Sequence, residues 1–177
     1  MKAAPRRRHA LLQSTLLIVG EGPDDRAFAS HLKGLFCQRG CGLKVQVESG
    51  DGGSAGNIIT NAIRSYRSGD YDRRILLLDA DLPPDQAEVK RAQKAGYEII
   101  LWQPQCLEGT LLDALGEPVR PHETSQQLKL RLHAKLTGHH TEPAAYAPLF
   151  TRERVANTRN QSLSALYRAL SGPVRQA

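Results

Sequence analysis

The stretch LLIVGEGPDDRAF, residues 16–28, joins an apolar run to a turn that is rich in glycine and acidic residues. An apolar run of this length, bounded by turn residues, is typical of a strand that is buried on both faces of a sheet. A second run, RILLL at residues 74–78, has the same character and also leads into acidic residues, Asp79 and Asp81. The sequence therefore predicts two buried strands, each ending at carboxylates.

On either side of these strands, helical and strand periodicities alternate along the chain. Apolar residues recur at helical spacing in four segments, residues 25–35, 57–66, 83–95 and 106–115. Strand-like patterns occupy residues 43–47 and 97–102. Regular alternation predicts an α/β fold, a Rossmann-like parallel sheet of about four strands with helices on both faces. We assign residues 13–117 to this domain.

The two ends of the chain are basic. Residues 118–177 carry nine Lys or Arg residues and three acidic ones, and the whole chain has a net charge of +6. We interpret them as a basic helical appendage packed on the same domain, with helices over 125–136 and 151–170. Residues 1–12 are interpreted as a basic flexible tail. This charge distribution suits an anionic partner such as nucleic acid, although a solvated basic face explains it equally well.

The basic residues of the predicted C-terminal helices are the candidate nucleic-acid contacts. They are Lys129, Arg131, Lys135, Arg152, Arg154 and Arg159. At helical spacing they also suit a helix face that is simply solvated, so both interpretations stay open.

The cysteine count and the hydropathy indicate the compartment. Three cysteines form no CxxC pair, which favours reduced thiols in a cytoplasmic protein. A zinc site that combines Cys37 and Cys41 with a distant histidine is the alternative. No apolar run approaches the roughly 18 residues that a membrane-spanning helix needs, so we expect no membrane partner.

Acidic residues follow both buried strands, at the sheet edge where ligands of parallel α/β sheets collect. Glu21 follows the first strand, and Asp79 and Asp81 follow the other. Side chains at positions i and i+2 leaving a strand point the same way, and a shared cation relieves their repulsion. Oxygen ligands suit Mg²⁺ or Mn²⁺. The alternatives are a loop acid at Glu21 and helix-capping acids at Asp79 and Asp81.

The pairing of LLIVGEGPDDRAF with the later ILLLDAD, residues 75–81, resembles the Toprim domain of topoisomerases, primases and OLD-type nucleases. Among Toprim proteins the chain is most similar to the small stand-alone RloB-like proteins associated with phage defence. These also show a Pro-x-Cys-x-Glu-like stretch, here PQCLEGTLLDAL at residues 104–115. The resemblance covers residues 14–116 and departs at Gly20, where the family often has an apolar residue.

The resemblance implies a Mg²⁺-dependent nuclease that acts on RNA or DNA in phage defence or RNA processing, with a partner protein of a defence system as an option. Glu21 would be the general acid/base or an additional metal ligand. Asp79 and Asp81 would hold the metal. Further candidate ligands are Asp25, one helical turn after Glu21, and Glu108 of the PQCLE match. Asp25 could instead interact with the helix dipole, and Glu108 could simply lie near a helix N-terminus.

Other functions fit parts of the same pattern. A nucleotidyltransferase or primase-like enzyme would need a nucleoside triphosphate site, and the sequence offers no clear one. A non-catalytic module that binds nucleic acid or a protein would keep the acids as a relic. A response-regulator-like protein, in which Asp79 would accept a phosphoryl group, would need a lysine after a later strand, and the sequence lacks one. We interpret His139 and His140 as solvated loop residues, and His133 has no recognisable partner.

Overall fold

The computed structural model describes residues 14–172, so the predicted tail at residues 1–12 lies outside the described part. Four parallel strands form one sheet. They are β1 (Ser14–Gly20), β2 (Leu43–Ser49), β3 (Arg73–Asp79) and β4 (Tyr97–Trp102). Their spatial order is β2-β1-β3-β4, and helices flank the sheet. The predicted α/β class is therefore confirmed.

Seven α-helices and one 3-10 turn complete the described chain. The helices are α1 (Pro23–Phe36), α2 (Ala55–Ser65), α3 (Gln86–Lys94), α4 (Leu107–Ala114), α5 (Ser125–His133), α6 (Arg152–Ala156) and α7 (Gln161–Ser171), and the 3-10 turn is Pro143–Tyr146. The β1–β2 connection, which contains α1, crosses one face of the sheet. The β2–β3 connection, which contains α2, crosses the other face. The carboxyl ends of β1 and β3 therefore flank the topological switch point, where such sheets form their ligand crevice.

Side-chain alternation along β1 and β3 builds two separate cores. Leu16 and Ile18 of β1 face the layer that contains α1, α4 and α7, whereas Leu17 and Val19 face α2 and α3. All four side chains are buried. Burial on both faces is the reason why these strands read as continuous apolar runs instead of alternating ones.

The C-terminal helices pack into the first of these two cores. Leu128 and Leu132 of α5, Val155 of α6 and Leu163 of α7 join the same buried cluster as Leu16 and the other β1 residues on that face. The segment predicted as an appendage therefore shares its core with the sheet.

Three predicted helix boundaries were wrong for identifiable reasons. The helix predicted over 151–170 is two helices, because Asn160 caps α7 by accepting from the Leu163 N–H and donates to the Gln103 carbonyl. The helix predicted from residue 83 begins at Gln86, where Asp85 and Glu88 form a capping box. The helix predicted to end at residue 136 ends at His133.

Within residues 14–172, no helix combines the length and the apolar character needed to cross a membrane.

Candidate functional site

Glu21 and Asp79 lie together at the switch point. The backbone N–H of Asp79, the last residue of β3, donates to the Glu21 carboxylate over 3.0 Å. Both residues line a cleft of about 330 Å³, which we call the acidic cleft. Its other polar walls include Asp24, Asp25, Glu108, Lys129 and His140. The structure thus brings Glu21, Asp25, Asp79 and Glu108 into one cavity.

The PQCLE stretch holds the Asp-Ala-Asp stretch in place. The Gln105 carbonyl accepts from the backbone N–H groups of Ala80 and Asp81, at 2.7 and 2.8 Å. The Leu107 N–H, in the first turn of α4, donates to Asp79 Oδ1 at 3.2 Å. Two sequence motifs that are distant in the chain therefore form one loop–helix unit around Asp79.

Asp25 is buried, and both of its oxygens are occupied. Oδ1 accepts from the Trp102 indole N–H at 2.6 Å, and Oδ2 accepts from the Gly22 N–H at 3.0 Å. A Cβ on Gly20 would lie only 2.3 Å from the Asp25 Cβ, so the close approach of α1 requires glycine at this position. These contacts make Asp25 the residue that shapes the Glu21-Gly22 turn.

Asp81 is exposed and is not among the residues that line the acidic cleft. Its Oδ2 accepts from the Ser125 hydroxyl, in the first turn of α5, at 2.6 Å. Its charge still contributes to raising the pKa of Asp79. Asp81 thus lies near the predicted centre, but its side chain ties the β3 loop to α5.

The carboxylates of the cleft disfavour each other's ionisation. Burial, followed by the charges of Asp25, Glu21, Glu108 and Asp81, raises the pKa of Asp79 to about 8. Burial also raises the pKa of Asp25 to about 7, against the lowering effect of the Trp102 hydrogen bond. An oxygen-only donor set that resists ionisation without a cation has the chemistry of a Mg²⁺ or Mn²⁺ site.

Lys129 is the cation that this cleft already contains. Burial lowers the pKa of Lys129, but the charges of Glu108, Asp24 and Asp79 outweigh it and the pKa is raised. Glu108 itself is buried in the first turn of α4, and burial raises its pKa. Lys129, predicted as a nucleic-acid contact, thus lies among the carboxylates of the acidic cleft.

The other predicted basic contacts divide into two groups. Arg131 pairs with Glu117 and Glu123, and Lys135 pairs with Glu117 at 2.6 Å. Arg152 bonds to the Leu35 carbonyl and lies 5.0 Å above the Phe36 ring. These three side chains are engaged within the chain.

Arg154 and Arg159 line a separate cleft of about 770 Å³ between α4, α6 and the start of α7. Arg159 also lines a cleft of about 480 Å³ that contains Ala80 and Gln105. The two clefts share Asp113, Arg159 and Asn160, so Arg159 lies between the Asp79–Asp81 loop and the cleft that contains Arg154.

Asp24, His133 and His140 form a compact cluster, so His140 is not the solvated loop residue that the sequence predicted. His140 Nδ1 lies 2.5 Å from Asp24 Oδ1, and His133 Nε2 lies 3.5 Å from Asp24 Oδ2. The two imidazoles stack with centroids 4.2 Å apart and planes 5° from parallel. Burial lowers the pKa of His133, and the adjacent His140 lowers it further. His139 is exposed and bonds to Thr141.

The structure does not support the alternative zinc site that would combine Cys37 and Cys41 with a distant histidine. Cys37, Cys41 and Cys106 are free thiols. Burial raises the pKa of Cys37 to about 11, which disfavours the thiolate that binds zinc. Across residues 14–172, the potential metal-binding groups of three or more side chains include no cysteine.

Comparison of the chain with protein-family models, with curated proteins and with solved structures gave no match.

Proposed function

We propose that the chain is a Toprim-type, Mg²⁺- or Mn²⁺-dependent phosphodiesterase that cleaves RNA or DNA. The observation that carries the proposal is the convergence of Glu21 and Asp79 in one cleft at the switch point, with a direct hydrogen bond between them. The buried Glu108 and the ordering of the Asp79–Asp81 loop by Gln105 support it. Because one fold hosts many chemistries, the proposal rests on the site and not on the sheet.

The donor set fits a hard divalent cation. Asp79 and Glu21 would hold the ion, with Glu108 as a further carboxylate of the cleft and Asp25 fixing the turn. Asp81, outside the lining of the cleft, would join them only if it released Ser125. When bound, Mg²⁺ supplies positive charge that stabilises the phosphorus oxyanion and favours ionisation of water.

The residues of the chain supply the remaining functions. Glu21 would accept the proton of the attacking water, whose oxygen forms a new bond to phosphorus as the ester P–O bond breaks. The leaving oxygen takes up a proton, so the products are a phosphate monoester and an alcohol. Lys129 neutralises the phosphate in the cleft, and Arg159 and Arg154 hold the strand along the clefts that they line.

We place this activity in the cytoplasm, in phage defence or RNA processing, and a partner protein of a defence system could direct it. The free thiols of Cys37, Cys41 and Cys106 support a reducing compartment.

The test combines binding and turnover. Titration calorimetry should detect Mn²⁺ and Mg²⁺ binding to the wild type and to Asp70→Asn, a control at an exposed loop acid, but not to Asp79→Asn. Labelled single- and double-stranded RNA and DNA should be cleaved by the first two proteins only. Normal cleavage by Asp79→Asn would refute the mechanism.

Two further outcomes identify the rival functions. Metal-dependent incorporation of labelled nucleotide would identify a nucleotidyltransferase or primase-like enzyme. Nucleic-acid binding that persists in EDTA without any turnover would identify a non-catalytic module.

A further inference from the structure

We propose that Asp24, His133 and His140 bind a transition-metal dication of the Zn²⁺ class, at the wall of the acidic cleft and with a set of ligands different from that of the Glu21–Asp79 centre. We call these three residues the histidine cluster. The proposal goes beyond the nuclease activity and does not depend on it, because none of the three side chains belongs to the proposed set of Mg²⁺ ligands.

The spacing of the donor atoms carries the first part of the argument. One ligand atom from each residue lies within 4.8 Å of the others. Ligands about 2.0–2.1 Å from a tetrahedral zinc ion are themselves about 3.4 Å apart. His133 Nε2 lies 3.5 Å from Asp24 Oδ2, and a water is the expected fourth ligand. The His140–Asp24 contact at 2.5 Å is a hydrogen bond whose proton a metal would displace.

An unsatisfied nitrogen atom of His133 is the second observation that supports the site. His133 Nε2 is a buried nitrogen without a hydrogen-bond partner in the described chain, residues 14–172. A buried polar atom left unpaired costs free energy, and an unassigned ion is a recognised explanation for one. This nitrogen faces two carboxylates, so a cation is the ligand that its surroundings favour.

The framework around the cluster is rigid although its residues are distant in sequence. Asp24 lies in the first turn of α1, His133 ends α5, and His140 precedes the 3-10 turn. The Tyr146 hydroxyl donates to the His140 carbonyl at 2.7 Å, and its ring packs edge-on against Phe28 of α1 at 5.4 Å. A bound metal would therefore fasten the C-terminal segment to α1 beside the acidic cleft.

The donor types separate this site from the magnesium centre. Two imidazole nitrogens and a carboxylate suit zinc, cobalt or nickel, whereas Mg²⁺ prefers oxygen ligands. Because the two imidazole rings are nearly parallel, they must tilt relative to each other before a nitrogen lone pair of each ring points at the same ion. Rotation about the soft terminal torsion of histidine allows this.

The test titrates Co²⁺ into EDTA-stripped full-length protein, in excess Mg²⁺ to saturate the oxygen-only centre. We expect visible d–d bands of nitrogen–oxygen ligation at one equivalent, and displacement by Zn²⁺. His133→Gln and His140→Gln should each weaken Co²⁺ binding by about 100-fold. Removing a residue that only orients a metal ligand already costs about 10–100-fold in affinity, and these two residues would be direct ligands. His139→Gln, the matched control one residue away, and Asp79→Asn should bind as the wild type does.

Several results would overturn the proposal. These are no Co²⁺ binding to the wild type, equal binding by His140→Gln, or loss of binding in Asp79→Asn. A thiolate charge-transfer band that disappears in Cys37→Ser/Cys41→Ser would also do so, since the ion would then sit on the cysteines. Imidazole nitrogen NMR shifts of the wild type on adding Zn²⁺ give the same answer if a variant fails to fold. The nuclease assay enters none of these outcomes.

Discussion

The Asp79 backbone N–H donates to the Glu21 carboxylate over 3.0 Å, and this bond joins the ends of β1 and β3 where the strand order reverses. Because the donor is a backbone group, Glu21 keeps its orientation when the Asp79 side chain is replaced. The Asp79 carboxylate is held separately, by the Leu107 N–H. An Asp79→Asn variant therefore removes one carboxylate from the cleft without releasing the other.

The crowding of carboxylates predicts that the metal-free protein loses stability as the pH rises. The pKa of Asp79 is raised to about 8 and that of Asp25 to about 7. The pKa of a carboxyl group in the unfolded protein is about 4. A group whose pKa is higher in the folded protein adds stability that is fully present below this pH and is lost as the pH rises through the pKa of the folded protein. Thermal unfolding in EDTA should therefore show a falling Tm between about pH 5.5 and 8.5. Each kcal/mol lost corresponds to about 2–4 °C in a chain of this size.

Asp79→Asn provides the control for this pH dependence. The variant should show a shallower fall in Tm and a higher Tm than the wild type at pH 8 in EDTA. Mn²⁺ should stabilise the wild type most at high pH, because the ionised carboxylates bind it. A wild-type Tm that rises steadily to pH 8.5 without metal would contradict this account of the cleft.

Gly20→Ala should destabilise the fold and disturb the cleft together. The new Cβ would lie 2.3 Å from the Asp25 Cβ, so α1 or the Glu21 turn must move. We expect a loss of about 1–3 kcal/mol, as for other overpacked sites, together with weaker Mn²⁺ binding. The matched control is Gly34→Ala on the exposed side of α1, where a Cβ meets nothing within 4 Å. It should stabilise the protein by about 0.5–1 kcal/mol. Equal effects of the two substitutions would contradict the steric argument.

The buried strands and the Glu21 and Asp79 positions could be predicted because they depend on local pattern. LLIVG and RILLL are apolar at every position that the two cores require, and parallel strands bring their carboxyl ends to one edge. The break between α6 and α7 could not be predicted in this way. The apolar spacing of Val155, Leu163 and Leu166 looks continuous, and the interruption depends on tertiary hydrogen bonds of Asn160.

The histidine cluster had no signal in the sequence because its members meet only through packing. Asp24 is separated from His140 by most of the domain, and their contact requires α5 and the 3-10 turn to pack against α1. The same applies to Asp25 and Trp102, which come from α1 and the end of β4. Periodicity identifies which residues are buried, but not which polar atoms meet inside the core.

Trp102→Phe should cost more stability than removing a comparable neutral hydrogen bond. The indole N–H donates to a buried carboxylate at 2.6 Å, and hydrogen bonds to charged groups contribute about 1.5–3 kcal/mol. Tyr97→Phe on the same strand is the control, since its hydroxyl donates to the neutral Ala62 carbonyl at 3.1 Å, and should cost about 0.5–1.5 kcal/mol.

The difference between these variants should widen above about pH 7, because the Trp102 bond favours ionised Asp25 and its loss raises the pKa of Asp25 further. Urea unfolding must be followed by circular dichroism, because Trp102 is the single tryptophan of the chain. Equal costs for the two variants at pH 8 would indicate that Asp25 is neutral in the folded protein.

Nucleic-acid affinity should depend on Arg154 and Arg159 more than on Arg131 and Lys135. Arg159 lines the cleft that contains Ala80 and shares a second cleft with Arg154, whereas Arg131 and Lys135 are held by Glu117 and Glu123. Arg154→Gln/Arg159→Gln should weaken binding of a labelled oligonucleotide about 10-fold and lower the salt slope by about 1–2. Arg131→Gln/Lys135→Gln should change affinity little and cost up to about 1 kcal/mol of stability. Fluorescence anisotropy in EDTA at several salt concentrations measures both. The reverse ranking would place the strand along α5 instead of the clefts beside α6 and α7.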